Sequence, residues 1–238
     1  MVQPTEKKNA TPKNSLFFRM MQWIAKKIVK EPEFVWKTDQ PDEPAIFVCN
    51  HTKIYAPTCL FLYRKEWRMW SNNFFLNKKS CKEHLLNKVL ANRSCWLRGL
   101  GKMLVPLIVY VYRHIDPIPV YRDQRVVTTF NEAIRTLQEG RHEVIFPERT
   151  EGEFRYIYEF NRGFAMMGPL YYKRTGKLLR YYPVYCCQDH ERFIVGDSIS
   201  YDPSLPAKEE PERICRYLEN AIRALADAEG PHKVVVYG

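Results

Sequence analysis

The sequence predicts an α/β fold: a mainly parallel central sheet with helices on both faces, preceded by an N-terminal basic amphipathic helix. Three observations predict it. Short apolar runs rich in β-branched and aromatic residues alternate with longer amphipathic stretches, the pattern of strands joined by crossover helices. Hydrophobic residues make up 45% and aromatic residues 14% of the 238, enough to bury a sizeable core and to exclude disorder for most of the chain. Several polar residues follow directly on apolar runs, where open α/β sheets gather functional groups. The length favours one domain with appendages: a polar tail over 1–14, an amphipathic interfacial helix over 15–31 and an α/β domain over 40–238.

Taken in order, the first element is the helix. Phe17, Met20, Met21, Ile24 and Ile28 share one face, with Arg19, Gln22, Lys26 and Lys30 opposite. Such a helix either lies in a membrane interface with its lysines among anionic headgroups or docks on the domain's own core. Residues 31–44 read as a polar link and 45–49 (AIFVC) as a short buried strand. Helices are predicted over 57–66 and 81–92. The apolar run 103–112 is ten residues long with Pro106 inside it. That is about half a bilayer span, which predicts a buried helix, a lining for a long apolar chain or a dip into a membrane interface, and no transmembrane helix. A strand over 118–121, a helix over 124–139 stopped by Gly140 and a strand over 143–146 stopped by Pro147 follow. Beyond them the pattern gives a helix over 162–175 closed by Gly176, strands over 178–187 and 192–199, a long helix over 207–228 and an edge strand over 234–237.

Lys+Arg number 37 against 27 Asp+Glu, a net charge of +10. This points to a polyanion: nucleic acid, an anionic membrane surface or a phosphate-bearing substrate. No RRM, zinc-finger or KH signature is present, so nucleic acid rests on charge alone. Lys78, Lys79, Lys82, Lys88, Arg93, Arg98 and Lys102 form a dense basic stretch suited to anionic headgroups, each residue near the surface contributing about 1 kcal/mol. The seven cysteines and six histidines show no familiar metal-ligand spacing. The cysteine count and the absence of a secretory signal in the first 14 residues suggest a reducing compartment. The expected location is therefore the cytoplasmic face of a membrane, bound peripherally.

Four segments carry the chemistry in order along the chain: NHTKIYA from Asn50, PIPVYRD ending after Arg122, FPERTEG from Phe146, and YYPVYC around Pro183. Together they resemble the blocks of the glycerophosphate acyltransferase-like superfamily, and the lysophosphatidate acyltransferases in particular. In that family the first block is N-H-x-x-x-x-D, the second ends in arginine, the third is F-P-E-G-T-R and the fourth is an apolar strand containing proline. The resemblance implies acyl transfer from acyl-CoA or acyl carrier protein, as co-substrate with no further cofactor and no metal, to a lysophospholipid. His51 would be the general base, taking the proton of the acceptor hydroxyl. Arg122 would hold the acceptor phosphate through its guanidinium fork, and Glu148 and Thr150 would shape the acceptor site.

The sequence departs from the family at two places. Five residues past His51, after four intervening positions, stands Ala56, so the aspartate that orients the imidazole is missing. Loss of the orienting aspartate in a comparable triad costs about four orders of magnitude in turnover. Three readings follow. Glu148, or else Asp116 or Asp123, replaces it; or His51 works without a carboxylate, oriented by Tyr55 or a backbone carbonyl; or the scaffold binds lipid without acylating it. Arg149 stands where the family has glycine and Glu151 where it has arginine, which removes a residue able to take positive φ and opens the acceptor's identity to non-phosphorylated hydroxyls or amines. Arg149 and Lys53 are further candidate phosphate contacts. His114 and Asp116 form a rival pair.

Overall fold

The computed structural model describes residues 15–149 and 153–235. From the N-terminus, α1 (Leu16–Ile28) leads to β1 (Glu33–Trp36), β2 (Ile46–Cys49), α2 (Tyr55–Tyr63) and β3 (Trp67–Asn72). A 3-10 turn at Asn73–Leu76, α3 (Lys78–His84), a π-helical turn at Leu85–Val89 and α4 (Cys95–Ile115) precede β4 (Ile118–Val120). Then come α5 (Val126–Gln138), β5 (His142–Ile145), a 3-10 turn at Arg162–Met166 and α6 (Met167–Thr175). The chain closes with β6 (Arg180–Cys187), β7 (Arg192–Val195), β8 (Ile199–Ser200) and α7 (Glu210–Ala228). These elements fall into two units, one from the chain up to Lys27 with Asn73–Pro117, the other from Ile28–Asn72 with Ile118 onward.

The second unit is built on an eight-stranded sheet in the order β1-β7-β6-β2-β5-β3-β4, with β8 also on β6. The β1–β7, β2–β5, β2–β6, β3–β4 and β3–β5 pairs are parallel, and β6–β7 and β6–β8 antiparallel. The mainly parallel sheet expected from the alternation is therefore present. Both its faces are buried, which is why its central strands read as continuous apolar runs. Ile46, Val48, Ile145, Tyr181 and Tyr185 meet Ile134 and Leu137 of α5, Met167 of α6 and Ile214 and Leu218 of α7. Phe47, Cys49, Val144, Tyr182 and Val184 meet Ala56, Cys59 and Leu60 of α2. Pro183 of the fourth block lies inside β6, opposite Val48, and not at a strand end.

Two strands escaped the sequence reading. β1 hides in the stretch read as a polar link, and β3 (WRMWSN) carries a buried Arg68 that donates to Thr136 Oγ1 at 2.8 Å and pairs with Glu132 at 3.4 Å. The strand expected over 192–199 is two strands, because the chain breaks at Gly196, whose N–H donates to the Pro183 carbonyl at 3.0 Å. Val234 and Val235 form no strand, and the remainder of that predicted edge strand, like the tail over 1–14, lies outside the described residues.

The first unit has a small core of Cys81, Val105 and Val109 with Phe75, Leu85 and Ile108. Arg98 is spent on structure: one guanidinium nitrogen donates to the carbonyls of Leu86, Leu90 and Ala91, groups left over at the end of the π-helical turn. Phe18 is the buried residue of α1, set against the rings of Tyr110 and His114. Leu16, Phe17, Met20, Trp23 and Ile24 remain exposed.

The apolar run 103–112 is corrected most. It is the middle of α4, 21 residues long and the one helix among the described residues long and apolar enough, by length and composition, to cross a membrane. Nor is it a buried helix. Only Gly101, Val105 and Val109 are buried, while Trp96, Leu100, Met103, Leu104 and Leu107 are exposed. Pro106 does not end it: the residue is exposed and removes one backbone donor, while the helix continues to Ile115.

Candidate active site

His51 is positioned by the end of β2. Asn50 extends the ladder with its side chain: Oδ1 accepts from the Cys186 N–H at 2.6 Å and Nδ2 donates to the Cys186 carbonyl at 3.2 Å. His51 then leaves the sheet, and its backbone N–H donates to Glu148 Oε1 at 2.5 Å. Glu148 Oε2 accepts from the Tyr158 N–H at 3.0 Å. Both carboxylate oxygens thus fasten backbone, one from the first motif block and one from the segment after the third. The contact to His51 is through its amide. Thr52, buried next in line, accepts from the Ala56 N–H at 3.0 Å and anchors the start of α2.

The imidazole of His51 lies 5.1 Å from the Phe146 ring, centre to centre. Burial pushes its pKa down to about 4, so the ring is neutral at pH 7 and able to accept a proton. Burial pushes the Glu148 carboxyl up, opposed by its two N–H donors. Ala56, where the family has its aspartate, is fully buried in the apolar cluster with Cys49, Cys59 and Cys186. An aspartate there would bring a carboxylate into that cluster, which is costly without partners.

The other predicted residues scatter along the same edge. β2, β5, β3 and β4 are parallel neighbours, so His51, Glu148 and Arg122 all follow carboxyl ends of strands. Arg122 is exposed after β4, three strand spacings or about 14 Å from the β2 column. Lys53 is exposed in the turn before α2 with φ of 51°. Arg149 forms an ion pair with Glu159, and its N–H donates to the Glu159 carbonyl at 2.9 Å. Thr150 lies outside the described residues.

Of the alternative partners, Asp123 is engaged by Arg125, whose Nη2 lies 2.8 Å away, and its carboxyl is held down at about 2 by that guanidinium. The Tyr55 hydroxyl faces Cys59. His114 sits in the last turn of α4 with Nδ1 2.8 Å from the Tyr110 carbonyl, so it and Asp116 do not share an extended face. A cavity of about 280 Å³ lined by Trp36, Phe47, Arg64, Trp67 and His142 lies at the opposite edge, where β3 and β5 begin, and holds none of the predicted residues. Sequence reasoning missed Tyr158 and the structural roles of Asn50 and Thr52. Adjacency of Asn50 and Thr52 to His51 was their only signal.

Fold and site together define a mainly parallel α/β protein with a neutral, half-buried histidine and a carboxylate meeting at the carboxyl edge of its sheet. No family model matches the chain, and no curated protein matches it. Among solved structures it is similar to the crystal structure of the 1-acyl-sn-glycerophosphate (LPA) acyltransferase PlsC from Thermotoga maritima, at 15% identity and a TM-score of 0.49, over 91% of this chain and 81% of that one.

Proposed function

We propose that this protein is a membrane-associated acyltransferase, moving an acyl chain from an acyl-CoA or acyl carrier protein thioester to the hydroxyl of a lysophospholipid such as lysophosphatidate. The observation that carries this reading is the bond between the first and third ordered motif blocks, from the His51 N–H to Glu148. Neutral His51 takes the acceptor's hydroxyl proton as its oxygen attacks the thioester carbonyl. The tetrahedral intermediate collapses, the C–S bond breaks, and the imidazolium returns the proton to the leaving thiolate. Glu148 acts as a positioning residue through the backbone it holds. Arg122 would receive the acceptor phosphate, with Lys53 and, once released from Glu159, Arg149 beside it, and Thr150 would help shape the acceptor site.

The exposed apolar residues of α1 and α4 support a peripheral seat on an anionic membrane, at the cytoplasmic face. A second reading, a weak or inactive lipid-binding relative, is favoured by Ala56 standing buried where the aspartate belongs. Engagement of Arg149 by Glu159 favours acceptors without phosphate. The test is acyl transfer from a panel of acyl-CoA and acyl carrier protein donors to lysophospholipids, alcohols and amines. The wild type turns over, and His51→Ala loses at least about 10²-fold in kcat/KM. An active wild type indifferent to that substitution overturns the mechanism, and vesicle binding without turnover establishes the second reading.

A further inference from the structure

One strand over from the His51 column, the turn joining β6 to β7 brings Cys187, His190 and Glu229 together. A sulfur, a ring nitrogen and a carboxylate oxygen from the three all lie within 4.8 Å of one another. Cys187 ends β6 and is buried, His190 is three residues further in the turn, and Glu229 directly follows the last residue of α7. Burial pushes the Cys187 thiol up, and the backbone N–H groups of His190 and Asp189 face its sulfur and oppose that shift. Nδ1 of His190 lies 3.2 Å from Oε2 of Glu229. That is close to the edge of a tetrahedral zinc polyhedron, about 3.3–3.8 Å for metal–ligand bonds of about 2.0–2.3 Å. The turn is fixed by a bond from the Glu191 N–H to the Gln188 carbonyl at 3.2 Å.

We propose that Cys187, His190 and Glu229 bind a divalent transition metal of the zinc class, with solvent in the fourth position. Thiolate and imidazole donors select such a metal over magnesium or calcium. Binding releases the thiol proton of Cys187 to solvent, and Nδ1 of His190 binds as the acceptor nitrogen of the imidazole with its proton on Nε2. His232 flanks the site without entering it, since Nε2 pairs with the Tyr185 hydroxyl at 2.6 Å and Nδ1 with the Gly230 carbonyl at 2.7 Å. Arg192 is 3.9 Å from the Glu229 carboxylate, but its Nε is bound to Glu33 at 2.6 Å. The metal ties the β6–β7 turn to the end of α7, and this inference does not depend on the acyltransferase reading.

The experiment is a cobalt(II) titration of the full chain, followed by displacement with zinc. Wild type gives thiolate-to-cobalt charge transfer and tetrahedral d–d absorption at one equivalent. Cys95→Ser, which removes the one exposed thiol, leaves both intact, whereas Cys187→Ser abolishes the charge-transfer band. His190→Ala and Glu229→Gln weaken affinity by roughly tenfold or more, and they carry the test if Cys187→Ser does not fold. Zinc raises the Tm of wild type by about 5 °C and leaves that of Cys187→Ser unchanged. No charge-transfer band in wild type, a band that survives Cys187→Ser, or one lost in Cys95→Ser overturns the proposal.

Discussion

α7 and α4 are nearly equal in length, 19 and 21 residues, and both are amphipathic. α7 buries Ile214, Leu218, Ile222 and Ala226 at helical spacing against the sheet's core. α4 buries a narrow stripe, Gly101, Val105 and Val109, and leaves Met103 78% and Trp96 70% exposed. Periodicity makes the two helices alike. What separates them is the surface each is offered. A sheet face swallows the apolar side of α7, whereas the small core around Cys81 accommodates only the thinnest edge of α4. The surplus apolar side is then free for a non-aqueous environment.

The difference can be broken most visibly on the α4 side. Replacing Trp96, Met103 and Leu107 with serine removes three exposed side chains worth roughly 1.5 kcal/mol each on transfer to lipid. Partition into anionic vesicles should fall by about 10³-fold in a flotation assay, with the denaturation midpoint in solution unmoved. An unchanged partition would show that α4 faces water. Next in size is the mirror experiment. Leu218→Ala in α7 should cost about 2–5 kcal/mol by chemical denaturation and leave vesicle affinity alone.

Acid supplies the third and smallest contrast, within the sheet unit. The folded pKa of His51, about 4, lies below its ordinary 6.5, so the unfolded chain takes the proton first as pH falls. Its contribution is complete above pH 6.5 and is lost progressively toward pH 4, up to about 3 kcal/mol. His51→Gln should flatten stability over that window in denaturation curves collected at stepped pH. Under the mechanism proposed for His51, the same depressed pKa places the acid limb of kcat/KM near pH 4. A limb near 6.5 would mean that the ring is not buried during any such turnover.

Much of the sheet was legible because parallel strands buried on both faces are written as unbroken apolar runs, as in IFVC and YYPVYCC. β3 was not, since Arg68 sits in its middle and only the tertiary partners Thr136 and Glu132 make that burial tolerable. α4 was read short because its unbroken apolar run, 103–112, stops at Lys102 and Arg113, whereas the helix continues past both. At the site, motif order picked out His51 and Glu148, which the fold joins. Residue type could not say that Glu148 would hold an amide of His51, or that Arg149 would turn to Glu159. The Cys187, His190 and Glu229 cluster was illegible for another reason: its carboxylate arrives from 39 residues beyond the histidine.

The side chain of Asn50, paired to both backbone groups of Cys186, makes the strand one rung longer than its backbone. The position of His51 is thereby measured from the sheet and not from the loop that follows. Inserting or deleting a single residue between Cys49 and His51 would therefore shift the imidazole along the sheet edge even if every other element kept its place.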